Sequence, residues 1–399
     1  MTAISKAEPL VGPWTKATAV ICFVSCLAFA CSKDSNRARL NRRQPRRSAL
    51  TDTRKKLPEK TPAERGPVID SHTLIAPLEE SIEQALWIFD KVGVKKFCNK
   101  NGGYLGSTVF ELTLRIKQRL GKRFEFFANL NWEGIDEPDW GEVEAERLEQ
   151  EVRLGAKGVK IFKSLGLGVR DAIGKLLHVD DPRLIPIFER AARLNAIVAM
   201  HTGDPKAFFQ PVTPENERYD ELSLAPDWSF YGEDYPKREQ LLSERDRVIA
   251  RHPRTTFLLI HLANNPEDID YVASLLRANA NVYVDTSARL PEIGRHPLDK
   301  VRNFFIEFQD RILFGTDLAI SPHGMQLGSV SPYPPTMNDA VAFYHAHFRF
   351  FETDLRQIDH PTPIQGRWKI NAINLPATVL RKLYFENADQ LIFSRRMKI

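Results

Sequence analysis

From Val68 onward, short apolar or β-branched runs alternate with longer stretches in which apolar residues recur every three or four positions. The runs fall near 68–72, 94–98, 124–130, 158–163, 197–201, 257–261, 281–286 and 312–317, and their length and composition predict strands. Between them the spacing predicts helices. Glu79 to Val92 places Ile82, Leu86 and Phe89 on one face, Trp140 to Leu154 repeats apolar residues among Glu and Arg, and Pro182 opens a run through Leu184, Ile187, Phe188, Ala191 and Leu194. Strand and helix alternating about eight times around one core predicts an α/β fold, a (β/α)8 barrel of the TIM type, with a doubly wound open sheet as the second architecture. A long stretch after the fifth strand, 206–250, carries many prolines and the aromatics Trp228, Phe230, Tyr231 and Tyr235, and is expected to be an insertion forming a lid or an interface.

The pattern before Val68 is different. Lys6 and Lys16 precede an uncharged run from Ala17 to Ala30 that ends in Ala28-Phe29-Ala30 and Cys31, so residues 1–31 are expected to be a signal peptide or a lipoprotein signal and anchor. The run is short for a bilayer-spanning helix. Export or membrane attachment through Cys31 or the apolar run is the expectation. The six arginines between Arg37 and Arg47 oppose it, because basic residues favour the cytoplasmic side, and a cytoplasmic location is the alternative. Residues 32–66, rich in Arg, Lys, Pro, Thr and Ser, are expected to be a disordered basic linker, and 67–399 the barrel domain.

Charge sharpens this division. The 399-residue chain carries a formal +5, but residues 1–66 hold 14 Lys/Arg against 5 Asp/Glu, a surplus of +9 that leaves the body at −4. A slightly acidic body argues against a nucleic-acid-binding surface. Cys22, Cys26 and Cys31 lie in or beside the apolar run and only Cys98 falls in the body, which excludes a disulfide framework or a cysteine-based zinc cluster there. No dinucleotide fingerprint and no Gly-x-Ser-x-Gly elbow is present.

Candidate chemistry lies at the strand ends, where a barrel builds its active site. Four apolar runs end at His72, His201, His261 and Asp317, all residues able to hold a metal ion. The fourth strand adds Lys160 and Lys163, placed on opposite faces by strand periodicity; Lys163, closer to the rim, is the candidate for a metal-bridging carbamate. Asp204 follows His201 on a loop shaped by Gly203 and Pro205. Asp285, Arg289 and Arg295 lie at and beyond the seventh strand, where arginine can grip a carboxylate through two parallel hydrogen bonds.

In these motifs the chain resembles the amidohydrolase superfamily, in particular its amidohydrolase-related branch of metal-dependent hydrolases and decarboxylases. The resemblance runs from about Val68 to Phe393. It is carried by Val68-Ile69-Asp70-Ser71-His72, Gly158-Val159-Lys160-Ile161-Phe162-Lys163, Met200-His201-Thr202-Gly203-Asp204-Pro205, Ile260-His261-Leu262-Ala263, Leu313-Phe314-Gly315-Thr316-Asp317, and Leu375-Pro376 to Tyr384-Phe385-Glu386-Asn387-Ala388. It implies His72 and His201 as metal ligands, with Asp317 binding the metal or its water and acting as general base. His261 would be a further ligand or a catalytic contact to substrate or water. A divalent metal, zinc above all or else manganese, is implied as the cofactor, with metal-activated water attacking a small amide, ester, lactone or ring C–N bond. Decarboxylation of a small unsaturated or aromatic acid is the alternative reaction. Asp204, Arg289 and Arg295 are expected to contact the small-molecule substrate, and a homo-oligomer is compatible with the family.

One residue departs from the family pattern. Where members show a His-x-His pair on the first strand, this chain reads His72-Thr73-Leu74, and leucine has no donor atom. The chain then either holds metal more weakly, recruits another ligand, or is a barrel that binds without catalysing.

Overall fold

The computed structural model describes residues 60–399; the expectations for residues 1–31 and for the linker up to residue 59 lie outside them. Eleven strands are formed among the described residues: β1 Val68–Ile75, β2 Val94–Asn99, β3 Phe124–Phe126, β4 Ala128–Asn129, β5 Gly158–Ile161, β6 Ile197–Met200, β7 Thr256–Leu259, β8 Val282–Asp285, β9 Ile312–Leu313, β10 Leu318–Ser321 and β11 Gly324–Leu327. Counting β3 and β4 as one strand interrupted at Phe127, strand and helix alternate eight times. The helices are Glu79–Val92, Thr108–Leu120, Trp140–Arg153, Ile185–Leu194, Arg238–Arg251, Ile269–Ala278, Leu298–Glu307 and Met337–Glu352.

The strands form two sheets, in the orders β11-β10-β1-β2-β3 and β4-β5-β6-β7-β8-β9, parallel throughout except for the antiparallel pair β10–β11. The chain itself joins them at Phe127, whose N–H donates to Asn99. On the other side, Ser71 N–H donates to the carbonyl of Phe314 and Asp317 N–H to that of His72, each at 2.9 Å. Alternate strand residues serve two apolar clusters, as a sheet covered on both faces requires. Val198, Met200, Phe257 and Leu259 pack with the helices. Ile197, Ala199, Leu258, Ile69, Cys98 and Leu313 form a second cluster with Leu391 and Ile392 from the C-terminal helical segment. Cys98 is a buried free thiol.

Three differences from the sequence pattern have physical causes. The stretch 206–250 is not irregular throughout: Lys206–Phe209, Tyr219–Leu224 and Pro226–Trp228 are short helical pieces, but Arg238–Arg251 is one of the eight regular helices. Its period was hidden because its buried face carries Arg238, Glu244 and Arg245 beside Leu241, Leu242, Val248 and Ile249. The run 312–317 is split, with β9 ending at Leu313 and β10 pairing instead with β1. The last residues assigned to the linker are also folded. Thr61 caps the turn Pro62–Arg65 in a reciprocal capping box with Glu64. Arg65 pairs with Glu352 at 2.5 Å and lies 3.7 Å over the Phe348 ring. No helix of the described residues is long and apolar enough to cross a membrane.

Candidate active site

His72 owes its direction to an extra residue in β1. Asp70 lies opposite Phe97 and Thr73 opposite Asn99, so β1 spends three steps where β2 spends two. Such a bulge re-aims side chains. Asp70 turns toward the helix Met337–Glu352, where it accepts from Tyr344 Oη at 2.5 Å and Thr316 Oγ1 at 2.6 Å. Burial lifts its pKa to about 6 against these hydrogen bonds. His72 turns the other way, with Nδ1 2.8 Å from Asp285 Oδ2 and 2.9 Å from Ser287 Oγ.

His261 and Asp317 are held by unusual backbone. His261, Leu262, Ala263 and Asn264 take consecutive positive φ values of 55°, 51°, 55° and 51°, and Asp317 and Ala288 adopt 64° and 53°. Left-handed conformations cost non-glycine residues of order 1–3 kcal/mol each, so the surroundings must impose them. Asp285 does so for His261, accepting its N–H at 2.9 Å, while His261 Nδ1 lies 2.9 Å from the carbonyl of Ser287. Arg238 bridges the loops after β6 and β7, donating to the carbonyls of Asp204 at 2.7 Å and Asn264 at 2.6 Å.

These supports bring three donors together. One ring nitrogen each of His72 and His261 and a carboxylate oxygen of Asp317 lie within 4.8 Å of one another. His72 Nε2 stands 3.3 Å from Asp317 Oδ1, which is buried and has no hydrogen-bond partner. Burial lowers the pKa of both imidazoles, and the guanidinium of Arg289 adds to the effect at His261. Burial alone would raise Asp285, but His72, Ser287 and Lys100 carry it below the ordinary carboxylate range. The stable arrangement is therefore a neutral His72 donating Nδ1–H to an ionised Asp285 and presenting the Nε2 lone pair to the centre. That carboxylate–histidine pairing is how proteins orient metal-ligating imidazoles.

His201 is adjacent but differently engaged. Its ring centroid is 4.5 Å from that of His261, yet its Nε2 lies 3.2 Å from Asp204 Oδ1, and it is not one of the three converging donors. Burial lowers its pKa to about 3. Asp204 is the hub of this side. Lys163 Nζ approaches Oδ2 at 2.5 Å and Arg289 Nη2 approaches Oδ1 at 3.5 Å. Burial would raise Asp204, but Lys163, His201 and Arg289 hold it well below its ordinary value.

The other sequence candidates divide clearly. Lys163 faces Asp204 and the rings of Trp228 and Phe230, each 5.3 Å away, rather than the three donors, so it is not placed as a bridging ligand. The reason is local: β5 ends at Ile161, and Lys163 has helical φ and ψ, so strand periodicity no longer governs it. Lys160 is the buried lysine of the pair, and its charge depresses His72, His201 and His261 alike. Arg295 is on the surface, paired with Glu217 at 2.7 Å and stacked on Trp368, and takes no part in the site. Ser287 was missed, because a lone serine after a strand carries no distinguishing signal. Asp285, at the end of β8, was visible as a strand-end carboxylate but its hold on His72 was not.

A family model described as amidohydrolase matches residues 131–393, well over half of the chain, and the protein belongs to that family. The matched region begins after β1, so it contains His201, His261 and Asp317 but neither His72 nor Leu74. No curated protein matches the chain. Among solved structures, the chain is similar to 2,6-dihydroxybenzoate decarboxylase from Rhizobium, at 16% identity and a TM-score of 0.45 over 82% of this chain and 98% of that one. A putative amidohydrolase from Staphylococcus aureus shares 16% identity with a TM-score of 0.48 over 82% and 99%. The 4-oxalomesaconate hydratase from Rhodopseudomonas palustris shares 14%, with a TM-score of 0.44 over 82% and 95%.

Proposed function

We propose that this chain is a metal-dependent hydrolase of small molecules, built on a closed (β/α)8 barrel, with His72, His261 and Asp317 as its cation-binding group. The observation that carries the reading is the convergence of these three donors within 4.8 Å, with Asp317 Oδ1 buried and unbonded. Two neutral imidazoles and a carboxylate suit zinc and leave a position open, and His261 supplies the donor that Leu74 does not. A cation bound there supplies Lewis acidity, polarising a scissile carbonyl and acidifying water near neutral pH.

The protein's own groups do the rest. Asp285 and Ser287 fix the His72 tautomer and the His261 backbone. In this reading Asp317 takes a proton from the attacking water and returns it to the leaving group of an amide, ester, lactone or ring C–N bond. The two cations sharing Asp204 favour a second reaction at the same centre, decarboxylation of a small carboxylic acid.

Purified protein grown with zinc is expected to hold close to one equivalent of metal and to lose hydrolytic activity on chelation. His72→Ala should abolish the retained metal, while Asp317→Asn should cut kcat by about 10²–10⁴-fold, as removal of a general base does. Less than about a tenth of an equivalent of bound metal sinks the reading. Release of CO₂ instead of a hydrolysis product, across a panel of acids and their amides and esters, selects the second reaction.

A further inference from the structure

The turn that carries His261 is held at both ends. At one end Asp285 accepts the His261 N–H and the Ser287 carbonyl lies against Nδ1. At the other, the carbonyl of Ala263 accepts from Arg245 Nη1 at 2.5 Å and that of Asn264 from Arg238 Nη2 at 2.6 Å. These are neighbouring carbonyls in the left-handed run from His261 to Asn264. Histidine and asparagine enter that region more readily than most residues, but nothing in the side chains of Leu262 and Ala263 favours it.

Glycine is the ordinary way to build such a turn. Here two guanidinium groups are buried beside it instead. Burying charge is costly unless it is paired, and each keeps a carboxylate: Asp246 at 2.8 Å from Arg245 and Glu267 at 3.1 Å from Arg238. Both arginines lie on the buried face of the helix Arg238–Arg251, seven residues or about two turns apart. Their hold opposes relaxation, because returning Ala263 to the right-handed region would swing its carbonyl off Arg245. Arg238 also donates to the carbonyl of Asp204 at 2.7 Å, whereas Arg245 Nη2 donates to Tyr271 Oη at 2.9 Å on the helix Ile269–Ala278. Arg245 is thus the handle on the His261 turn that does not also hold Asp204.

We infer that Arg245 is a positioning residue for His261: its guanidinium, anchored by Asp246 and Tyr271, grips the Ala263 carbonyl and with it the left-handed turn that aims the imidazole. The regular helix of the 206–250 stretch then serves as a bracket behind the site. This rests on the proposed function only for what His261 does once it is placed.

The test is nuclear magnetic resonance of the histidine ring nitrogens, in full-length protein carrying isotope-labelled histidine and stripped of metal by a chelator. The His261 signals are those lost in His261→Gln. Arg245→Met should displace them. Adding Ala263→Gly, which makes the left-handed turn easy without the cation, should bring them back, and this double variant decides the matter if the single one does not fold. Arg311→Met controls for lost stability. Arg311 makes the same kind of contact at the opposite strand ends, donating to the carbonyls of Leu276 at 2.6 Å and Asn279 at 3.0 Å, and its loss should leave His261 in place. In cobalt-loaded protein, Arg245→Met should alter the visible absorption bands and weaken binding about tenfold, while Arg311→Met changes neither. His261 signals that are unmoved by Arg245→Met, moved equally by Arg311→Met, or not restored by Ala263→Gly overturn the positioning role. Wild-type protein that takes up no cobalt removes the metal reading instead, and the metal-free spectra still decide the grip.

Discussion

The site has two halves that solve opposite electrostatic problems. At the ends of β1, β7, β8 and β9, His72, His261, Asp285 and Asp317 come together, His261 and Asp317 in left-handed backbone, and burial keeps the imidazoles neutral. Beyond β5 and β6, Lys163, His201 and Asp204 form a charged cluster, joined by Arg289 from beyond β8, whose partners are already engaged with one another. The first half has acceptors without donors and the second has cations in excess of anions. A cation fits the one and an anion the other, and His201, in ring contact with His261 but bonded to Asp204, marks the boundary.

That division can be broken from either side. The largest separate effect belongs to Asp285→Asn, which preserves volume but weakens the hold on His72 Nδ1. Metal affinity should fall by about 10–100-fold, the usual cost of losing the partner that orients a ligating histidine. Titration with a competing chelator reads the loss; an unchanged affinity would show that Asp285 does not orient a ligand.

Asp204→Asn attacks the other half. Removing one member of a buried ion cluster leaves its cations uncompensated, and with Lys163 partly solvated the cost should be about 2 kcal/mol in urea unfolding. Metal affinity should remain near wild type. A stability unchanged to within about 0.5 kcal/mol would show that the cluster is screened by solvent despite its burial.

The smallest effect is in pH. Folded His201 takes a proton only near pH 3, whereas unfolded histidine does so near 6.5, so between these values the unfolded chain binds more protons and stability falls as the pH is lowered. His201→Asn should make that acid slope shallower by about 1 kcal/mol per pH unit, the share of one proton, when urea unfolding is followed from pH 6.5 to 4. An unchanged slope would move the acid lability to His72 and His261.

Much of this was legible because strands of a parallel sheet covered on both faces read as short apolar runs, and functional groups stand where those runs end. Those ends pointed to His72, His261 and Asp317, which the structure brings close together, although the runs could not say that His201 would lie against Asp204. Asp204 and Arg289 lie against one another, whereas the short helix Leu290–Gly294 carries Arg295 to the surface and Glu217. Lys163 could not be oriented from the sequence because it lies past the end of β5, and periodicity assumes a strand that continues. The bulge in β1 was invisible for a related reason: it is a property of the pairing with β2, not of either sequence. The helix Arg238–Arg251 escaped notice because buried charged residues break the apolar stripe that marks a helix.

The docked turn at Thr61–Arg65 gives the body a mechanical stop. A pull on residue 60 meets the capping box and then a guanidinium clamped between Glu352 and the Phe348 ring, both on the helix Met337–Glu352. Load is passed to that helix before it reaches β1, where the bulge that aims His72 begins.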